Sequence, residues 1–123
     1  MFRRSFTALA VLACTTVAAN AGGDPVRGAS VYKRCAICHT DNKGGGDGLG
    51  PNLFGVAGRK AASRPGFSYS PALQKSGIVW TEGNLTKWVE KPARMVPGTK
   101  MAFSGITSKK QQADLVAYLK KLK

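Results

Sequence analysis

Toward the carboxyl terminus, Leu115, Val116, Leu119 and Leu122 recur with Tyr118 among polar and basic positions, at intervals of three and four. That spacing sets them on one face of a helix. Ser108 with Gln111 three residues later gives it a capping-box start, and lysines fill its last turn, where the helix dipole favours positive charge. In TEGNLTKWVEKP the same reading puts Leu85, Trp88 and Val89 on one face and stops the helix at Pro92. Ser70-Pro71 opens a short helix that ends near Gly77. Earlier, Asp24-Pro25 pairs a capping acid with proline at the first helical position, so VRGASVYKRC is expected to run as a helix into the cysteines. Gly28 and Tyr32 share a face of it. Glycine costs about 1 kcal/mol inside a helix, so Gly28 points to a close helix contact.

Between these elements the period disappears. TDNKGGGDGLGPNLFGVAGRKAASRPGF, Thr40 to Phe67, is glycine-rich and punctuated by proline, and ARMVPGTKMAFSG, with Met95 and Met101, is a second irregular segment. No run alternates as a strand would. The glycines do not form a dinucleotide cradle, because no apolar strand precedes them and no helix clearly opens after them. The fold class is therefore all-α, with helices at both ends and long loops between. A loop this long inside a compact domain is usually functional. The core is thin for the chain length, and a large apolar cofactor would complete it.

The first segment, MFRRSFTALAVLACTTVAANA, has Arg3 and Arg4, an apolar run and an Ala19-Asn20-Ala21 ending. It reads as a secretory signal peptide spanning residues 1–21, leaving one domain at 22–123. Its apolar run is short for a membrane span, which needs roughly 20 residues. Cys14 leaves with it, so a disulfide framework is not expected: Cys35 and Cys38 remain as one local pair. With 43% hydrophobic and 20% charged residues the chain is globular rather than disordered. Removing Arg3 and Arg4 from 19 basic residues leaves 17 against 6 acids, a net charge of +11 on the exported domain. Such a field suits an acidic protein face or an anionic membrane surface, and export argues against nucleic acid.

RCAICHT holds the chemistry: Cys35 and Cys38 three apart, with the chain's single histidine, His39, directly after them. A thioredoxin-like pair belongs beside a strand at a helix start, and here it comes after a helix. A structural zinc site needs four ligands, and no further Cys or His is available. Cys-x-x-Cys-His as a haem anchor uses all three residues: the thiols add across the vinyl groups as thioethers, and the adjacent imidazole reaches the iron. With no second histidine, a methionine thioether is the natural opposite ligand. Both Met95 and Met101 are candidates, and Met101 is favoured because it lies after Pro97-Gly98 where no helical stripe claims it.

Together these residues resemble the class I cytochrome c family, shared by mitochondria and the periplasm of many bacteria. CAICHT, GPNLFGVAGR, PGFSYS, GIVWTEGNL, VPGTKMAFSGI and ADLVAYLKK fall in that family's order and approximate spacing. The resemblance implies the cytochrome c fold, in which N- and C-terminal helices pack together and shorter helices and loops wrap one covalent haem c. It implies thioethers from Cys35 and Cys38, and His39 and Met101 as axial ligands of the iron. It further implies a Pro51 carbonyl accepting from His39, and Arg59, Tyr69, Trp80 and Thr99 hydrogen-bonding the haem propionates. Gly28 and Tyr32 would pack on Leu115 and Tyr118. Two positions depart from the family's commonest pattern: Trp88 stands where a tyrosine is usual and Leu73 where an asparagine is.

With the signal peptide and the basic charge, the resemblance implies a periplasmic electron carrier, a monomer and not an enzyme. Its basic rim (Arg34, Arg94, Lys100, Lys109, Lys110) would meet acidic faces of its partners. A quinol-oxidising complex, a terminal oxidase, a photosynthetic centre or a periplasmic dehydrogenase fits that role. A haem enzyme such as a peroxidase is the rival reading. It needs an open iron position and a distal acid/base group.

Overall fold

The computed structural model describes residues 10–13 and 22–123. The segment read as a signal peptide, apart from 10–13, lies outside the described residues. Five helices occur in order: α1 Pro25–Tyr32, α2 Pro71–Lys75, α3 Glu82–Glu90, α4 Pro92–Met95 and α5 Lys109–Lys121. Among the described residues there is no strand, only an antiparallel bridge between Lys60 and Val79.

Caps close the helices, at Asp24, Ser70 and Ser108 as expected and at Thr81 in addition. Asp24 accepts from the Val26 and Arg27 amides at α1, Ser70 from Leu73 at α2, Thr81 from Asn84 at α3 and Ser108 from Gln111 at α5. Each satisfies donors that a helix start leaves unpaired.

Two expectations on extent are corrected. α1 does not run through Cys35 but stops at Tyr32, after which bonds to the third residue back tighten the chain: Arg34 N–H to Val31 O (3.2 Å) and Cys35 N–H to Tyr32 O (2.7 Å). The second irregular segment is also shorter than its composition suggests. Pro92 ends α3, because Lys91 before it is extended (φ −165°, ψ 97°), and then opens the one-turn α4, which carries Met95.

The terminal helices hold the fold together. A β-carbon at Gly28 would lie 2.0 Å from the Asp114 carbonyl oxygen and 2.8 Å from Tyr118 Cβ, so α1 and α5 cross where only glycine fits. One turn on, the Tyr32 and Tyr118 rings meet with centroids 5.1 Å apart. Asp114, 3% exposed, accepts from the Asp24 amide at 2.7 Å and from Arg27 Nε at 3.1 Å, locking the start of α1 onto α5. Leu115, Val116 and Leu119 are buried in the core with Ile106, and Leu85 and Val89 bring α3 to it. The Ile106 amide donates to Val89 O at 2.8 Å, which lays the chain after Met101 along α3.

Candidate functional site

The tightened turns after α1 deliver the Cys-Cys-His cluster. The Cys38 and His39 amides both donate to Cys35 O, at 3.0 and 2.9 Å, and Tyr32 Oη donates to His39 O at 3.3 Å. Cys35 and Cys38 are both unbridged thiols and half-buried. Burial pushes the Cys35 thiol up to about 11 against the opposing pull of Arg34. A protonated, half-buried thiol is a poor match for a redox nucleophile, which is exposed and depressed in pKa. Among the described residues no three His, Cys, Asp or Glu side chains gather as a metal site, so the zinc reading fails on geometry as well as on count.

His39 is oriented as the Pro51 reading requires. Its Nδ1 lies 2.7 Å from the Pro51 carbonyl oxygen, which can only accept, so the proton sits on Nδ1 and Nε2 presents a lone pair. Burial holds the imidazole below the usual histidine range, while the Pro51 carbonyl pulls the other way. A neutral ring with a fixed tautomer is a metal ligand in waiting. The loop is shaped to this ring: a β-carbon on Gly50 would fall 2.3 Å from His39 Cε1.

The other expected residues line separate parts of the loops. The Gly58 amide donates to Trp80 O and the Trp80 amide to Arg59 O, both at 2.8 Å, so Arg59 and Trp80 are held as neighbours. Arg59 Nη1 donates to Phe54 O at 3.2 Å, but its Nε is buried without a partner. Buried donors are almost always paired, and an orphaned guanidinium N–H calls for an acceptor, best an anion. Trp80 is buried and meets Trp88 edge-on, centroids 5.2 Å apart. Tyr69 Oη accepts the Arg64 amide at 3.2 Å, leaving its own proton free to donate. Thr99 Oγ1 accepts the Met101 amide at 3.3 Å and so fixes the turn that carries this half-buried methionine. Met95 is also half-buried, on α4. Among the described residues no hydrogen bond joins the His39 segment to that of Thr99 and Met101.

Sequence reasoning missed the residues that pin the glycine-rich loop. Asn52, 2% exposed, donates to Thr40 Oγ1 (2.8 Å) and Asn42 O (2.9 Å) and accepts from the Phe54 amide (2.9 Å). Asp47 accepts from the Asn52 amide (2.8 Å) and pairs with Arg64 (2.6 Å). Tyr118 Oη donates to Asp41 and ties α5 to the same loop. An asparagine straight after Pro51 in a glycine run was a legible signal of a polar anchor. The Asp47–Arg64 pairing had none, because nothing local relates two charges that far apart.

The orphan guanidinium favours an anionic group, and the fixed neutral imidazole and the thioether on the Thr99-braced turn offer a nitrogen and a sulfur donor to a metal. Comparisons with known proteins agree. A family model described as cytochrome c matches residues 25–123. The chain is 46% identical over 104 residues to cytochrome c2 of Rhodomicrobium vannielii, covering 85% of this chain and 83% of that one. It is 48% identical over 101 residues to cytochrome c of Gibberella zeae, covering 81% and 95%. Among solved structures it is similar to cytochrome cH from Methylobacterium extorquens, with a TM-score of 0.75, 42% identity, and coverage of 80% of this chain and 98% of that one.

Proposed function

The chain belongs to the cytochrome c family, with its all-α fold, covalent haem c and role as an electron carrier, and on that premise we propose how its own residues do the work. Cys35 and Cys38 would hold the haem as thioethers, and His39 and Met101 would supply the two protein ligands of its iron. The haem supplies a one-electron couple. The chain's part is to keep the same two donors in place in both oxidation states, so that little rearranges when an electron moves.

The observation that carries this reading is the 2.7 Å contact between His39 Nδ1 and Pro51 O, which leaves Nε2 as the donor in a neutral ring. Thr99 supports the second donor by bracing the turn that carries Met101. Arg59 offers its unpaired Nε to a propionate, with Tyr69, Trp80 and Thr99 as further donors. The protein acts as a monomeric carrier in the periplasm, delivered there by the signal peptide at 1–21, and not as an enzyme. The exposed side chains of Arg34, Arg94, Lys100, Lys109 and Lys110 steer it to acidic faces of a donor and an acceptor, such as a quinol-oxidising complex and a terminal oxidase.

A potentiometric titration of the haem-loaded protein tests the reading. The spectrum should convert reversibly between two states along a one-electron Nernst curve, with no change of coordination. Hysteresis, or a ligand-exchange step on reduction, would overturn it.

A further inference from the structure

The Pro51 carbonyl that accepts from His39 and the Asn52 amide that donates to Asp47 belong to one peptide group. The distances are 2.7 Å from His39 Nδ1 to Pro51 O and 2.8 Å from Asn52 N to Asp47 Oδ1. The same Asp47 oxygen receives Arg64 Nε at 2.6 Å. A carboxylate pulling on the N–H of a peptide drives electron density onto its carbonyl oxygen, and chained hydrogen bonds strengthen one another in this way. We propose that Asp47 and Arg64 are positioning residues that set the basicity of His39 through the Pro51–Asn52 peptide, and thereby the reduction potential of the haem iron.

Further contacts hold each link of this relay. Asn52 is buried and its side chain is satisfied by Thr40, Asn42 and Phe54, so the peptide plane cannot turn away from either partner. Arg64 is held twice more, through its own amide on Tyr69 Oη and through Nη2 on Gly45 O at 3.2 Å. The Asn52 amide, and then Arg64, hold the Asp47 carboxyl below its ordinary range, in keeping with an ionised carboxylate at that end of the relay. Both side chains are about a quarter exposed (Asp47 26%, Arg64 27%), so solvent damps the effect without severing it. A carboxylate acting through a hydrogen bond on a ligating imidazole raises its basicity. A more basic ligand favours the ferric state and lowers the potential; Arg64 tempers that pull.

The inference rests on His39 as an iron ligand. Nuclear magnetic resonance of the haem-loaded ferrous protein, with potentiometry beside it, tests the two separately. Asp47→Asn keeps an acceptor oxygen but removes the charge: the His39 Nδ1–H resonance should move upfield and the potential rise. Arg64→Ala, which frees the carboxylate, should move both the opposite way, and Arg64→Lys should restore most of the wild-type position. Glu82→Gln removes one acid elsewhere on the surface and should leave the Nδ1–H resonance where it was. An Nδ1–H resonance unmoved in Asp47→Asn, or moved equally by Glu82→Gln, would overturn the relay. Should Asp47→Asn fail to fold, the sign of the Arg64→Ala shift decides. If instead the wild-type His39 ring protons lack the large displacement a neighbouring haem imposes, the ligand assignment itself has failed.

Discussion

Gly28 of α1 sits so close to Asp114 of α5 that an added β-carbon would lie 2.0 Å from the Asp114 carbonyl oxygen. The obstacle is backbone, which cannot swing aside as a side-chain tip would. Gly28→Ala gains about 1 kcal/mol of helix propensity. It loses more by forcing the helices apart, since overpacking costs about 1–3 kcal/mol and the Tyr32–Tyr118 contact must open as well. Denaturant unfolding of the haem-loaded protein should show a net loss of about 2 kcal/mol.

Asp114 also gives the fold an acid limit. Its carboxyl is held below the ordinary range first by the Asp24 amide and then by Arg27. A group depressed in the folded state contributes stability above its unfolded value, roughly pH 3.9, and loses it as pH falls through the folded value. Acid unfolding of Asp114→Asn should therefore be flatter below about pH 4 than that of the wild type, measured by circular dichroism across a pH series.

At the alkaline end the relevant group is Tyr118, pushed up to about 12 by burial and then by its bond to Asp41. A phenol raised in the folded state stabilises the fold below its unfolded value of about 10 and ceases to as pH climbs through the folded one. Tyr118→Phe keeps the ring on Tyr32 but drops the hydroxyl, at a cost of about 1–2 kcal/mol at pH 7. Stability of the variant should fall less steeply between about pH 10 and 12.

Much of this framework was legible in the sequence, and the reasons are local. The caps at Asp24, Ser70 and Ser108 act within three residues, and the Leu115–Val116–Leu119 stripe is periodic, so one window of sequence contains each signal. Gly28 in a helix was a visible cost that implied its own compensation. The end of α1 was not legible because Lys33 and Arg34 carry no stop signal; the chain tightens there to present Cys35, Cys38 and His39. α4 escaped notice because a single turn has no period to read. In the site, His39 and Pro51 were expected together, whereas Asp47, Asn52 and Arg64 make contacts across the loop that no spacing announces.

The basic rim predicts salt-sensitive partners. Arg94 and Lys109 share Glu90 as a counter-ion, at 3.8 and 3.4 Å, which leaves Arg34, Lys100 and Lys110 as the freer charges of the rim. Screening lengths shrink from about 30 Å at 0.01 M salt to about 10 Å at 0.1 M. Electron transfer to an acidic partner, followed by stopped flow, should slow at least several-fold over that range. A rate independent of salt would remove steering from the account.

On the proposed reading Met101, and not Met95, would supply the iron's second protein ligand beside His39. Carbon monoxide binding to the ferrous haem-loaded protein, followed by its visible spectrum, tests it most directly. Wild type and Met95→Ala should not bind it readily, and Met101→Ala should bind at once. Ready binding by the wild type, or by Met95→Ala but not Met101→Ala, would contradict the account.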